Sequence, residues 1–230
     1  MKVQIFTRSL DPVLYSLSSE FLPSHIERVQ CLDFNTWQDA DNYLHFILRC
    51  GEDWIINLDE DAFVTDWSVI MEMIEFMAAN GYEYSGMPDD GVCHHRKNSW
   101  VVCNPFFNIF NAGAIRAKMA DYEDINGFQF LPWMEKHKPD FIKQVSQNDF
   151  FEPFNSIFYW LMNCSKGLYL NALDHRDELS TILLWEGKNF LYHSWYTRQF
   201  QTNKIQRTRI LNLYREAKQK KASFSEVDKS

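Results

Sequence analysis

Two acids one residue apart close an apolar run early in this chain: residues 54–64 read WIINLDEDAFV, with Asp59 and Asp61 on either side of Glu60. Side chains two apart in an extended segment lie on one side. The carboxylates of Asp59 and Asp61 can therefore share a hard divalent cation, which prefers oxygen ligands. The same letters also describe a strand that runs into a solvated acidic turn, since D-x-D is short and common. A second polar cluster stands late in the chain, where His193 and Arg198 follow the apolar Phe190-Leu191-Tyr192 among further aromatics. A lone histidine is more often a satisfied structural residue than a ligand. Asp149 and Glu152 precede a helical apolar pattern through Phe154, Ile157, Phe158 and Leu161, where acids commonly serve only as partners of the helix dipole. Cys93, His94, His95 and Cys103 have metal-ligand side chains, but their spacing matches no standard zinc site.

These residues need a frame. KVQIFT (2–7) reads as a strand, and Asp11-Pro12 as a helix start. Val13, Leu14, Leu17 and Phe21 form the stripe of that helix. ERVQCLDF (27–34) reads as a second strand. Thr36 caps a helix with Ala40, Tyr43, Leu44, Ile47 and Leu48 on one face, ended by Gly51. The opening run is then a third strand, so the fold class is α/β with right-handed crossovers and a mainly parallel sheet. In such sheets the ligand crevice lies outside the carboxyl ends of the strands, which is where Asp59 and Asp61 fall.

The next helix is capped by Asp66 and stopped by Gly81, and YEYSGM (82–87) is a fourth strand. Residues 92–104 read as a substrate-facing loop. In residues 105–116 (PFFNIFNAGAIR) the run Asn111-Ala112-Gly113-Ala114 is small enough for close backbone approach to a ligand, while the same letters also describe a strand and turn packed under a loop. Gly167–Leu173 reads as one late strand. From 204 to 221 seven basic residues face one acid. This stretch is expected as a solvated terminal helix, or as peripheral contact with an anionic membrane face.

Composition narrows the classes. The 230 residues suit one domain, and 16% are aromatic, rings that pack cores and also stack on sugars and bases. A net charge of −8 argues against nucleic acid as a partner. Five scattered cysteines without a C-x-x-C pair look like reduced thiols of a cytosolic protein. The first residues lack a signal-peptide core, and no apolar run reaches the roughly 18–20 residues of a membrane span. The expected location is cytoplasmic, with any membrane contact peripheral at the inner face.

Thr7-Arg8-Ser9 at the end of the first strand, Ile55–Phe63, the aromatic block Asn104–Asn108 and the terminal His193–Arg198 (HSWYTR) stand in an order that resembles GT-A-fold glycosyltransferases. The closest likeness is to bacterial and phage-type members with a D-x-D motif. The resemblance covers most of residues 1–200. It implies a single Rossmann-like domain over 1–203, with a central mainly parallel mixed sheet flanked by helices, and a basic helix and tail over 204–230. It implies transfer of a sugar, hexosyltransferase type, from a UDP- or GDP-sugar donor to a glycan or lipid-linked hydroxyl, with Mn²⁺ or Mg²⁺ as cofactor. Asp61 and His193 would then be metal ligands, and Asp59 would serve the metal or the donor ribose. Thr7 and Arg8 would border the nucleotide, and Arg198 would face the diphosphate. Asp149 and Glu152 are the candidates for a general base, with Asp89 and Asp90 behind them. Two other readings are a sugar nucleotidyltransferase, disfavoured because residues 6–10 hold no Gly, and a non-catalytic carbohydrate-binding module.

Overall fold

The computed structural model describes residues 2–120, 125–142, 145 and 151–227, with side chains described to residue 222. The expected alternation opens the chain as β1 (Val3–Arg8), α1 (Pro12–Ser19), β2 (Arg28–Cys31), α2 (Asp39–Arg49) and β3 (Trp54–Leu58). Asp11 caps α1, accepting from the N–H groups of Val13 at 2.9 Å and Leu14 at 3.1 Å, while Pro12 occupies a first-turn position that needs no donor. α2 begins three residues later than Thr36. There the cap works in reverse, with the Thr36 N–H and hydroxyl both donating to Asp39 Oδ2 at 2.7 and 2.8 Å.

β4 (Ala62–Val64), α3 (Trp67–Asn80), β5 (Tyr84–Pro88), β6 (Cys103–Asn111) and α4 (Ala112–Met119) follow. Asp66 caps α3, and Gly81 leaves it at φ +70°, a conformation that favours glycine. The chain is completed by α5 (Asn155–Cys164), β7 (Gly167–Tyr169), β8 (Asn171–Asp174), β9 (Thr181–Trp185), β10 (Lys188–His193) and α6 (Lys204–Val227).

The central sheet has six strands in the order β2-β1-β3-β6-β5-β7. β1 is parallel to β2 and β3, and β5 to β7; β6 alone runs against its neighbours β3 and β5. A second sheet of four strands, β4-β10-β9-β8, is antiparallel throughout. The fold is thus α/β with a mixed central sheet, three of whose five pairings are parallel, beside a second sheet that is antiparallel.

Period-two alternation sorts the strands onto two cores. Ile5 and Ile56 join Leu14, Ile70, Met73 and Leu213 on the face covered by α1, α3 and α6. Phe6 and Ile55 join Tyr43, Leu44, Ile115 and Phe158 on the face covered by α2, α4 and α5. The basic C-terminal helix packs on the body: Ile210, Leu213 and Ala217 are buried in the first core, and burial of a side chain the size of Ile210 or Leu213 is worth roughly 1.5–3 kcal/mol. Several of its cations bind within the chain. Arg209 donates to Ser180, Asp177 and the Trp195 carbonyl, Lys218 pairs with Glu20, and Lys220 reaches the Asn189 carbonyl. Among the described residues no helix is long and apolar enough to cross a membrane.

Two local expectations are corrected. Residues 112–119 form a helix, not a turn, because Asn111 Oδ1 accepts from the Ala114 N–H at 3.2 Å. The small residues there serve packing: Gly113 N–H donates to the Asp53 carbonyl at 3.1 Å, and a Cβ at Gly113 would meet Asp53 Oδ1 at 3.1 Å. The late strand 167–173 is two strands in two sheets, divided at Leu170, whose N–H binds the Gly86 carbonyl at 2.9 Å.

Candidate metal centre

β3 is buried along its whole length, and its one polar residue, Asn57, accepts from Tyr43 Oη at 2.7 Å and donates to Asn108 Oδ1 at 3.0 Å. The ladder continues one residue further, with the Asp59 N–H on the Phe106 carbonyl at 2.9 Å. A tight turn then closes through Ala62 N–H on the Asp59 carbonyl, and the chain enters β4. This turn holds both aspartates at the junction of the two sheets.

β10 delivers the histidine. It pairs antiparallel with β4 in a register that sets His193 opposite Ala62. Ser194 completes the seam: its hydroxyl donates to Asp61 Oδ2 at 2.6 Å and its N–H to the Asp61 carbonyl at 3.3 Å. His193 Nε2 lies 3.2 Å from Asp61 Oδ1 and 3.8 Å from Asp59 Oδ2. One ligand atom from each of the three residues falls within 4.8 Å of the others.

The imidazole is held flat against Phe106, and Trp195 packs at the edge of the pair, with its ring centroid 4.3 Å from His193 and 5.3 Å from Phe106. Trp195 is itself fixed by its indole N–H on Thr181 Oγ1 at 2.8 Å. Trp195 and Tyr196 both adopt left-handed backbone, at φ +59° and +60°. Two adjacent non-glycine residues in that region are costly and mark a segment determined by its surroundings. This kink leads directly to Thr197 and Arg198.

Asp59, Asp61, Arg198, Arg8, Thr197, Leu10 and Glu60 line a cavity of about 130 Å³. Since one water occupies about 30 Å³ of liquid, the cavity has room for a cation with a few coordinating atoms. Arg8 is anchored by Nε on the Phe34 carbonyl at 2.7 Å and by a second bond to the Thr36 carbonyl. Burial lowers its pKa against the opposing charge of Asp59.

The two aspartates titrate as a pair with opposite tendencies. Burial raises Asp61, but the charge of His193 and hydrogen bonds from His193 and Ser194 outweigh it and hold the group below its ordinary value. Asp59 is raised well above its ordinary value by burial and by the charge of Asp61. Two carboxylates and an imidazole around one point are a donor set suited to a divalent cation, which would relieve the repulsion between the carboxylates.

Glu60 is separate from this triad. Its Oε2 accepts from Ser9 Oγ, Leu10 N–H and Asp11 N–H, each at 2.9 Å. Burial nonetheless pushes its pKa up to about 7.

The other sequence candidates fall elsewhere. Thr7 is fully buried within β1, and its hydroxyl accepts from Arg28 Nε at 2.9 Å, so it is not brought to the cavity. Asp149 lies outside the described residues. Glu152 is buried in a network that sequence reasoning missed: Oε1 accepts from Arg96 at 2.9 Å and Oε2 from the Trp37 indole at 2.7 Å. Arg96 also forks onto Asp89 with two bonds of 2.6 Å. Burial lowers Arg96, but the bonds to Asp89 and Glu152 outweigh it and raise the group. Asn98 and Asn104 complete the shell of Asp89 at 3.1 and 2.7 Å. No local pattern ties Arg96 to Asp89 or Glu152; only the polarity of the 92–104 loop pointed here. The segment Phe34–Trp37 joins the two clusters, holding Arg8 by its carbonyls and Glu152 by its indole.

No family model matches this chain, and no curated protein matches it. Among solved structures, A197 from STIV is similar over 83% of this chain and 94% of that one, at 14% identity and a TM-score of 0.39. A likeness of that size assigns neither a family nor a ligand.

Proposed function

We propose that this chain is a metal-dependent glycosyltransferase of GT-A type, moving a sugar from a nucleotide-diphosphate donor to a hydroxyl acceptor. The observation that carries the reading is the convergence of Asp59, Asp61 and His193 within 4.8 Å of one another beside a cavity that Arg8 and Arg198 also line. Asp59, Asp61 and His193 would hold the cation, and the imidazole favours Mn²⁺ over Mg²⁺. When bound, the cation stabilises charge on the departing diphosphate. Arg198, and the face of Arg8 turned to the cavity, would add fixed positive charge where that charge develops. Phe106 and Trp195 keep His193 in place, so little reorganisation is needed on loading.

The acceptor side rests on Glu152. Both of its oxygens carry a donor, so action as a general base needs an acceptor hydroxyl to reach one of the remaining lone pairs. That pairing also favours a second reading, a carbohydrate-binding module on the same fold without turnover. Calorimetry of UDP and GDP with and without Mn²⁺, beside a donor-hydrolysis assay, tests both. Metal-dependent nucleotide binding that is lost in Asp61→Asn and His193→Ala supports the donor site. Its absence in the wild type defeats the proposal. Glycan binding with no hydrolysis, with or without Mn²⁺, selects the module.

A further inference from the structure

We propose that His94, His95 and Asp174 form a second metal site, suited to a borderline transition cation such as Zn²⁺ and separate from the Asp59–Asp61–His193 centre. The two histidines sit in the loop between β5 and β6, and Asp174 ends β8, so the site would join two elements that the sheets leave apart. His94 Nδ1 lies 3.1 Å from Asp174 Oδ2. The His95 ring meets His94 edge-on at 5.1 Å. One ligand atom from each of the three residues falls within 4.8 Å of the others.

A histidine–aspartate ion pair accounts for His94 but not for His95. Both ring nitrogens of His95 are shielded from water and have no hydrogen-bond partner among the described residues. An unsatisfied buried polar atom costs about 1–3 kcal/mol, and native proteins seldom leave one without a reason. A cation accepting the lone pair of one nitrogen supplies that reason for one of the two. His95 is held with its ring edge-to-face on Trp195 at 5.0 Å, while His94 and Asp174 are 56% and 42% exposed. The site is thus anchored on one side and open on the other, as in three-ligand zinc sites that keep a position for water.

The donor set separates the two centres. Two imidazoles with one carboxylate favour zinc and its neighbours, whereas two carboxylates with one imidazole admit harder cations. The neighbouring thiols do not join. Cys93 Sγ lies 3.4 Å from Met87 Sδ and 3.3 Å from Thr181 Oγ1, and Cys103 is buried against Gly86. A zinc set drawn from Cys93, His94, His95 and Cys103 is therefore not assembled, and Asp174 takes the place of the cysteines. A cation here would pin the loop that carries Arg96, whose guanidinium lies 5.4 Å from the Trp195 ring.

The test uses the full chain, stripped with a chelator, in an Asp59→Asn background that weakens the first centre. Zn²⁺ is titrated by calorimetry, and Co²⁺ is added as a spectroscopic probe. The expected result is one bound ion with visible Co²⁺ bands of low-coordinate nitrogen and oxygen ligation. Affinity should fall at least about tenfold in both His94→Ala and Asp174→Asn, given that even outer-shell partners of a metal are worth about 10–100-fold. Both positions are exposed, and circular dichroism confirms that each variant is folded. No ion bound in the folded background, or binding unchanged in both variants, overturns the proposal. Neither readout depends on nucleotide, so its failure is distinct from failure of the transferase reading.

Discussion

His193 lies flat on Phe106, with ring centroids 4.1 Å apart and ring planes within 3°. Phe106 is therefore both core and platform: it fixes the imidazole whose Nε2 faces the two aspartates. Phe106→Leu keeps an apolar side chain but removes the stacked face, a contribution of about 0.5–1.5 kcal/mol for aromatic pairs. The expected outcome is a modest loss of stability with a larger loss of Mn²⁺-dependent nucleotide binding, because the ring is freed to turn. Thermal melting and calorimetry on the same samples separate the two effects; equal binding in variant and wild type refutes the platform role.

The aspartates predict a metal-dependent stability. A cation that binds only the folded chain adds about 2.7 kcal/mol at a hundred times its dissociation constant. Mn²⁺ should raise the melting temperature of the wild type. Asp61→Asn and His193→Ala should abolish that rise, and Asp59→Asn should reduce it. A shift that persists in Asp61→Asn places the ion elsewhere.

Much of the frame could be read locally. Asp11-Pro12, Asp66 and Gly81 mark helix ends through capping chemistry that needs no distant partner. The alternation of Ile55 and Ile56 between two cores likewise follows from strand geometry alone. What could not be read depends on pairing across the chain. The approach of His193 to Asp61 rests on the register of β10 against β4, and only resemblance suggested it. The split at Leu170 was hidden because both halves carry similar side chains and differ only in the sheet they join. Glu152 looked like a free acid at a helix start, whereas its partners Arg96 and Trp37 come from distant segments. The partners of the amides among the aromatics are equally distant: Asn104 binds Asp89 and Asn108 bridges buried strands.

The Arg96 network sets a stability prediction. Asp89 is fully buried and takes two charge-assisted bonds from Arg96. Removing one partner of a buried pair leaves the other charge uncompensated and typically costs about 3–5 kcal/mol. Arg96→Ala should be destabilised on that scale in a urea titration. Lys138→Ala, which removes the exposed pair with Glu135, should change stability by under about 1 kcal/mol. Comparable effects in the two variants would show that the fork carries no special weight.

Asp177 gives the pH dependence. Its Oδ1 accepts from the N–H groups of Leu179 at 3.1 Å and Ser180 at 2.7 Å, and its Oδ2 accepts from the Ser180 hydroxyl at 2.7 Å. Partial burial raises the group, but these bonds and one with His175 outweigh it and hold the carboxyl well below its ordinary range. An acid depressed by folding contributes stability that is fully present above its unfolded pKa, about 3.9, and is lost as pH falls through the folded value. Asp177→Asn removes the charge and the acceptor at one oxygen, so it should cost about 1–3 kcal/mol at neutral pH. Below about pH 4 the wild type begins to lose the same contribution, and the gap between the two proteins should narrow. Urea unfolding of both proteins at several pH values from 7 down to 3 checks this. A constant gap across that range would mean that the turn is held by shape and not by the ionised carboxylate.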